Sequence, residues 1–256
     1  MNQDERANES GMGQSRQPGG FAAPAMAGPK RTVQQPDLTG GIPGIAVFAR
    51  AIVPGKTKTR LVPALGPEGA AEFHRALASD ALRKVAGLKG RMARYLFAAG
   101  GNLERVPGAF ECRRQTGRDL GQRLERAFTQ LLRQHSRVVV MGTDSPALAP
   151  SMLRLALKEL RTSDAALGPC PDGGYYLVGL RRTARGLFND VRLGSEFAFR
   201  DTLDSLLARG FSCSVLETCP DIDRPQDLVA LKKSLIKNPA TRRLMPQTWR
   251  FLSKKD

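Results

Sequence analysis

The segment GIAVFARAIVPGKTKTRL, residues 44–61, joins an apolar run to a basic loop. Residues 44–49 are apolar on both faces of an extended chain, which is typical of a buried strand in a parallel sheet. Glycine-containing turns and nearby cations neutralise phosphate oxygens, so we predict a phosphate-binding loop, with a solvated basic loop as the alternative. It is not a P-loop of the GxxxxGK[ST] type, because Arg50 stands where that motif requires glycine. The loop and its approach hold Gly55 and four cations, Arg50, Lys56, Lys58 and Arg60.

Short apolar runs and amphipathic segments alternate along residues 41–230. Strand and helix in alternation, with strands apolar on both faces, predict a single α/β domain whose mostly parallel central sheet is flanked by helices. In such sheets ligands bind at the carboxyl ends of the strands, so the loops there are the candidate sites. Further strands are predicted at residues 95–99, 137–141, 164–168, 175–180 and 212–217, and helices at residues 67–88, 119–132, 151–160 and 196–208 and from residue 225.

The formal net charge of +16 is unevenly distributed over the 256 residues. Residues 1–40 contain four basic and four acidic residues and are rich in Gly, Pro and Gln, which predicts a disordered N-terminal tail. Residues 231–256 carry eight basic residues and one acidic residue, and we expect a basic C-terminal tail or a helix packed on the domain. The expected domain, residues 41–230, carries the remaining +9 diffusely.

Composition disfavours several classes of protein. The sequence has no apolar run of about 18 residues, so no transmembrane helix is expected. Its start, MNQDERANES, has mixed charge and does not resemble a secretory signal. The four cysteines form no CxxC pair and only two histidines are present, which disfavours a disulfide framework or a zinc site. We therefore expect a cytoplasmic protein with reduced thiols, and neither His74 nor His135 is expected to be catalytic.

Two carboxylates lie in loops where a ligand would bind. Asp144 follows the predicted strand at residues 137–141 in GTDSP, and Asp223 precedes the last helix in DIDRP. A carboxylate in such a place can hold Mg²⁺ or Mn²⁺ bridged to substrate phosphates, and a second can share the ion. The alternative is structural, with Asp144 capping the next helix and Asp223 capping the helix that starts near Pro225. The spacing alone leaves both interpretations open.

The turn DGGYY, residues 172–176, precedes another predicted strand. Asp-Gly is a common hairpin turn, which is the structural alternative. Paired glycines also let a ligand approach the backbone closely, and Asp172 could accept a proton or bind a sugar hydroxyl. We therefore predict a catalytic role for Asp172. The predicted substrate-binding residues are Gly173, Gly174, Tyr175 and Tyr176.

Five sequence blocks, in this order and spacing, resemble one family: VFARAIVPGKTKTRLVPALGPEGAAEFHRAL, GRDLGQRL, VVVMGTDSPALAP, LGPCPDGGYYLVGL and DIDRPQDL. The chain resembles the bacterial rSAM/selenodomain-associated transferase family over about residues 44–230. Members of that family look like GT-A-type glycosyltransferases, within the wider nucleotide-diphospho-sugar transferase superfamily. The resemblance implies that nucleotide phosphates are bound by Arg50, Lys56 and Arg60, and the base or ribose by Gln115, Leu120 and Gly121. It also implies that Asp144 is a metal ligand and Asp223 a second one, with residues 172–176 on the acceptor or sugar side.

Two transfer reactions fit these observations. The first is metal-dependent glycosyl transfer from a nucleotide-sugar donor to a small-molecule acceptor, with Mg²⁺ or Mn²⁺ as cofactor. The alternative is a nucleotidyltransferase of the guanylyltransferase kind, which releases pyrophosphate from a nucleoside triphosphate. Nucleotidyltransferases tend towards a Gly-rich cradle for three phosphates. The first loop has one Gly and many cations, so glycosyl transfer is favoured.

A basic nucleic-acid-binding module is the third hypothesis. It would need a basic face interleaved with aromatic residues. Aromatic residues make up only 6% of the chain and the charge on residues 41–230 is diffuse, so no nucleic-acid partner is expected. Trp249 and Phe251 lie among the terminal cations, where contact with a membrane surface or an acidic partner is the alternative to a solvated tail or a packed helix.

Overall fold

The computed structural model describes residues 41–100, 106 and 108–254. They belong to the second of two units, Pro36–Asp256, into which the chain divides. The predicted tail over residues 1–40 lies outside the described residues. The strands are β1 (Gly44–Arg50), β2 (Ala93–Ala99), β3 (Glu111–Arg114), β4 (Val138–Met141), β5 (Ala165–Pro169), β6 (Tyr175–Leu180) and β7 (Cys213–Val215). The helices are α1 (Val62–Ala86), α2 (Leu120–Leu131), α3 (Pro150–Glu159), α4 (Ala198–Ala208), α5 (Pro225–Lys237), α6 (Pro239–Arg242) and α7 (Pro246–Ser253).

The strands form one seven-stranded sheet in the order β3-β2-β1-β4-β6-β5-β7. Strands β1 to β4 are mutually parallel, β6 is antiparallel to both β4 and β5, and β7 is parallel to β5. In β1, Ile45 and Val47 belong to one buried core cluster and Ala46 belongs to another. This two-sided burial explains the continuous apolar run in the sequence. The prediction of a mostly parallel α/β sheet flanked by helices is confirmed.

Two local features differ from the sequence prediction. Strand β3, ECRR, was not predicted because it is a short edge strand that pairs with β2 alone and carries no apolar pattern. The helical segment α1 begins before Pro67, but Gly66 interrupts it with φ 72° and ψ 167°. Regular helix therefore starts at Pro67, whose fixed φ suits a first turn. None of the described helices is both long and apolar enough to cross a membrane.

The C-terminal segment is helical and packs on α1. The predicted boundary after residue 230 falls inside α5. Leu235, Met245 and Leu252 join the third core cluster with Phe73, and the Phe251 ring lies 5.4 Å from the Phe73 ring. Since these apolar side chains contact the domain, the segment is a packed element in the described range.

Asp80 connects α1 to the start of α7. Its fully buried carboxylate accepts hydrogen bonds from the backbone nitrogens of Gln247 at 3.2 Å and Thr248 at 2.8 Å. The N-cap residue of α7, Met245, makes no side-chain capping hydrogen bond. The Asp80 carboxylate, which belongs to α1, instead accepts from these two backbone N–H groups in the first turn of α7. Burial raises the pKa of Asp80, and the two backbone donors oppose that rise.

We expect Asp80→Asn to lower the free energy of unfolding by about 2 kcal/mol, because the amide would present a donor to one of two buried N–H groups. Urea denaturation checks this value. The matched control is Asp204→Asn, which alters an exposed carboxylate 3.8 Å from Arg200 and should stay within about 0.5 kcal/mol of the parent. Equal stabilities for the two variants would show that α7 is not anchored through Asp80.

Candidate active site

A cavity of about 300 Å³ lies at the carboxyl ends of β1 and β4. This is the sheet edge where the sequence predicted a site, and it brings the first loop, the Asp144 loop and the 172–176 turn around one space. Three predicted residues, Lys56, Gly121 and Gly173, do not line the cavity. The predicted residues that do line it are Arg50, Arg60, Gln115, Leu120, Asp144, Asp172, Gly174, Tyr175, Tyr176 and Asp223.

Asp144 points a partly exposed carboxylate into the cavity. It does not cap α3, whose N-cap is Ala149, so the structural alternative raised for Asp144 does not hold. The side chain is 44% exposed, and its Oδ1 lies 2.8 Å from the Lys58 ammonium. Burial by itself would raise the pKa of Asp144, but the positive charges of Lys58 and Arg50 hold that pKa below its usual value. Asp144 is therefore a stable anion.

Asp223 contacts the same ammonium as Asp144 does. Its Oδ1 lies 2.6 Å from Lys58 Nζ and its Oδ2 lies 3.3 Å from Arg60. The capping role suggested for Asp223 belongs to Asp227 instead, whose carboxylate accepts from the backbone nitrogens of Asp223 at 3.1 Å and Arg224 at 2.7 Å. Both oxygens of Asp223 are thus engaged by cations.

Lys58 was predicted only as one of the four cations of the first loop, without a role of its own. It alternates with Lys56 in KTKTR, and no local pattern distinguishes the two side chains. In the structure Lys56 is exposed, whereas the Lys58 side chain is only 6% exposed. Burial by itself would lower the pKa of Lys58, but the carboxylates of Asp144 and Asp223 raise it above its usual value. Lys58 is therefore charged at neutral pH.

His74 is a second residue that the sequence analysis set aside. It is 2% exposed and lines the cavity, and its Nδ1 lies 3.9 Å from Asp144 Oδ1, too far for a hydrogen bond. Within the described part of the chain, neither ring nitrogen has a hydrogen-bond partner. Burial lowers the pKa of His74, against the opposing effect of Asp144, so the ring is neutral at neutral pH.

Asp172 lies beside a second carboxylate, Asp221. In the described ranges, Cys170, Asp172 and Asp221 form one group whose ligand atoms lie within 4.8 Å of one another, an arrangement able to hold a metal ion. Asp172 Oδ1 accepts a hydrogen bond of 2.9 Å from the backbone nitrogen of Gly174. Burial, with Asp172 and Asp223 adding to its effect, raises the pKa of Asp221 to about 6. Asp221 lies two residues before Asp223 in DIDRP, but its approach to Asp172 depends on the fold.

The glycines and tyrosines of the 172–176 turn are explained partly by packing. The hairpin alternative holds, since this turn joins the antiparallel strands β5 and β6. Gly173 has φ +84°, and a Cβ there would overlap the backbone carbonyl of Glu196. The Tyr176 hydroxyl donates to the Glu217 carbonyl at 2.9 Å. Gly174 and Tyr175 remain at the cavity wall, where a substrate could contact them.

The predicted base-binding residues are also explained partly by packing and partly by their position at the cavity. Gln115 Nε2 donates to the carbonyls of Phe97 at 2.8 Å and Ala49 at 3.2 Å, which ties the carboxyl ends of β2 and β1 together. Leu120 is 39% exposed at the cavity. Gly121 lies in the first turn of α2, where a Cβ would come within 2.9 Å of the Phe188 carbonyl oxygen. Its smallness therefore serves helix packing.

Comparison with known sequences gives one family match. The family model described as "Uncharacterized protein conserved in bacteria (DUF2064)" matches residues 75–195, which include the loops of Gln115, Asp144 and Asp172. A comparison with curated proteins gives no significant match.

Solved structures give a more extensive similarity. A candidate nucleotide-diphospho-sugar transferase from Desulfovibrio desulfuricans G20 is 29% identical with a TM-score of 0.75, over 84% of this chain and 95% of that one. A CMP:2-keto-3-deoxy-manno-octonic acid synthetase complexed with CTP is 11% identical (TM-score 0.51, 77% of this chain and 99% of that one). A 4-diphosphocytidyl-2C-methyl-D-erythritol synthase from Anaerococcus prevotii is 12% identical (TM-score 0.53, 77% and 97%).

These similarities differ in what they establish. The two synthetases share the fold alone at such identities. The Desulfovibrio protein supports the wider nucleotide-diphospho-sugar transferase grouping, and the chain is an enzyme of the transferase kind. The narrower resemblance, to the rSAM/selenodomain-associated family, stays a prediction.

Proposed function

We propose that this protein transfers a glycosyl group from a nucleotide-sugar donor to a small-molecule acceptor. The observation that carries the proposal is the common cavity. Arg50 and Arg60 from the first loop, the Asp144 carboxylate and the Asp172 turn all face one space of about 300 Å³. Such a volume is at the lower end of the range for small-molecule sites. Cations that can bind phosphates and a carboxylate that can accept a hydrogen bond from a hydroxyl suit a phosphate-bearing donor and an alcohol acceptor.

The basic residues would bind the diphosphate of the donor. The side chain of Arg60 is 57% exposed and Arg50 is exposed as well, so both can contact a ligand in the cavity, whereas Lys56 does not line it and is left out of this proposal. Arginine binds phosphate oxygens with paired donors, which fixes the leaving group as well as neutralising it. These two arginines would stabilise the negative charge that develops on the departing nucleoside diphosphate.

Asp144 has the chemistry to hold the divalent metal ion in this proposal. Its Oδ2 has no hydrogen-bond or ion-pair partner in the described ranges, and the side chain is 44% exposed to the cavity. Mg²⁺ and Mn²⁺ in transferases are commonly held by one or two carboxylates together with substrate phosphates. When bound there, Mg²⁺ or Mn²⁺ would supply Lewis-acid stabilisation of the leaving phosphates.

Asp172 is the group proposed to act on the acceptor. Its Oδ1 is held by the Gly174 backbone nitrogen, which leaves Oδ2 to accept a hydrogen bond, and then a proton, from an acceptor hydroxyl. Gly174, Tyr175 and Tyr176 would form the surrounding wall, with Gln115 and Leu120 contacting the nucleoside; Gly121, which does not line the cavity, would support Leu120 from the same turn of α2.

Nucleotidyl transfer is the second candidate. It is favoured by the likeness in fold to a synthetase whose structure holds CTP and to a second, diphosphocytidyl synthase. Against it, Gly55 is the only glycine between β1 and the 3₁₀ turn Thr59–Leu61, so few backbone nitrogens are free to surround a triphosphate. The expected absence of a nucleic-acid partner and the expected cytoplasmic location stay predictions.

A thermal-shift screen with nucleotide sugars and nucleoside triphosphates, with and without Mn²⁺, tests the proposal. A donor at about 100 times its Kd should stabilise the protein by about 2.7 kcal/mol, which raises the Tm by about 5–10 °C. Product analysis then separates the reactions, since glycosyl transfer releases a nucleoside diphosphate and nucleotidyl transfer releases pyrophosphate. If no nucleotide raises the Tm, the proposal is wrong; pyrophosphate release would replace it with the second candidate.

A further inference from the structure

The Lys58 ammonium lies in a cage of three oxygen atoms. It is 2.6 Å from Asp223 Oδ1, 2.8 Å from Asp144 Oδ1 and 2.7 Å from the Ile222 carbonyl oxygen. A lysine ammonium has three donors and no acceptor, so these partners use all of its hydrogen-bonding capacity. Lys58 therefore has no N–H left for a substrate phosphate, in contrast to the exposed Arg60 of the same loop.

The backbone of Lys58 supports the same conclusion. Lys58 has φ 49° and ψ 46°, and among the described residues it is the one non-glycine residue with positive φ. The left-handed region is unfavourable for a residue with a Cβ, so the surrounding contacts must compensate for it. The three short bonds at the ammonium, which reach from the first loop to residues more than 80 positions away, are the contacts that do so.

The charges around this cage are already balanced. Asp144 and Asp223 supply two negative charges, and Lys58 and Arg60 supply two positive ones. A divalent ion bonds carboxylate oxygens at about 2.0–2.6 Å. An ion on the two Oδ1 atoms would therefore occupy the space of the ammonium and repel it. The two cations exclude each other at that position.

We propose that Lys58 is the resident cation of the Asp144–Asp223 pair, so that a divalent metal ion contacts Asp144 from the cavity side and Asp223 is an anchor for cations rather than a metal ligand. This inference rests on the proposed metal role of Asp144 and corrects the expectation that Asp223 shares the ion. Asp144 Oδ2 and the exposed part of that carboxylate remain open to the cavity.

Mn²⁺ binding to the full chain without nucleotide tests the inference, with the free ion measured by electron paramagnetic resonance. We expect Asp144→Asn to weaken Mn²⁺ binding at least tenfold and Asp223→Asn to change it less than about threefold. Lys58→Met removes the ammonium at similar length and should tighten Mn²⁺ binding at least tenfold, because it opens the three-oxygen cage. The gain should disappear in the double variant Lys58→Met/Asp223→Asn.

Lys56→Met is the matched control, because it removes one positive charge from the same loop at an exposed side chain. It should bind Mn²⁺ within about threefold of the parent. The inference is overturned if Asp223→Asn weakens binding as much as Asp144→Asn, or if Lys58→Met binds no more tightly than Lys56→Met. Failure of the proposed function gives a different result. No nucleotide would then raise the Tm of the parent, while Lys58→Met would still bind Mn²⁺ more tightly than the parent, which supports Lys58 as the resident cation.

Discussion

Replacing Gly173 by Ala is expected to lower the free energy of unfolding by about 4 kcal/mol and to abolish most of the activity. The residue has φ +84°, which costs an alanine about 1–2 kcal/mol, and its new Cβ would overlap the backbone carbonyl of Glu196. Backbone cannot move aside as a flexible side chain can, so overpacking adds about 1–3 kcal/mol. The sum is a large part of the stability of a typical domain.

The loss of activity follows from what this turn holds. The carbonyl of Gly173 accepts from the Phe199 backbone nitrogen at 2.9 Å, and Cys170 pairs with Gly174 across the turn. A displaced turn would move Asp172 away from the cavity. Urea denaturation gives the stability, and donor turnover gives the activity.

Gly210→Ala is the matched control for Gly173. Gly210 also has a left-handed φ, +68°, but a Cβ there would meet no atom within 4 Å. Its substitution should therefore cost only about 1–2 kcal/mol, the conformational part of the effect. If both variants lost the same stability, the contact between Gly173 and Glu196 would not be the reason for glycine in the turn.

Asp144→Asn is expected to reduce donor turnover by about 100-fold or more. The substitution keeps the shape of the side chain and removes the charge that the proposed metal ion and the Lys58 ammonium both require. Lys58 keeps Asp223 and the Ile222 carbonyl as partners, so the variant should fold. Steady-state kinetics with the donor found by thermal shift, alongside a urea titration, separates catalysis from folding.

Asp204→Asn serves again as the control, since it removes an exposed carboxylate on α4. Its turnover should equal that of the parent. A normal turnover for Asp144→Asn would refute the placement of Asp144 at the reaction centre, whatever its effect on metal binding.

Much of the fold was predictable because burial leaves a local trace in the sequence. Strands β1 and β4 lie between two helical layers, so their residues are apolar except for Arg50 at the end of β1, and the runs are easy to recognise. Strand β3 was not predicted because its sequence, ECRR, has no apolar pattern. It is held in the sheet by backbone hydrogen bonds to β2. The loops of Asp144 and Asp172 were predicted as site loops because the carboxyl ends of parallel strands meet at one edge.

The partners within the site were not predictable in the same way. Lys58 and Lys56 look alike in KTKTR, yet one is buried between two carboxylates and the other is exposed. His74 was expected to be non-catalytic, because the sequence of α1 does not show that its buried ring lines the cavity. Asp221 and Asp172 are distant in the chain, and the fold raises the pKa of Asp221 by burying it and by bringing Asp172 close to it.

By itself the sequence determined an α/β domain, the sheet edge that holds the site, and the residue types collected there. Apolar periodicity and turn residues are local properties, so they can be read before the chain folds. The tertiary structure decided which charge neutralises which. The ammonium of Lys58 binds Asp223, which lies 165 positions further along the chain. That pairing depends on the sheet order and the loop lengths that bring these two residues together.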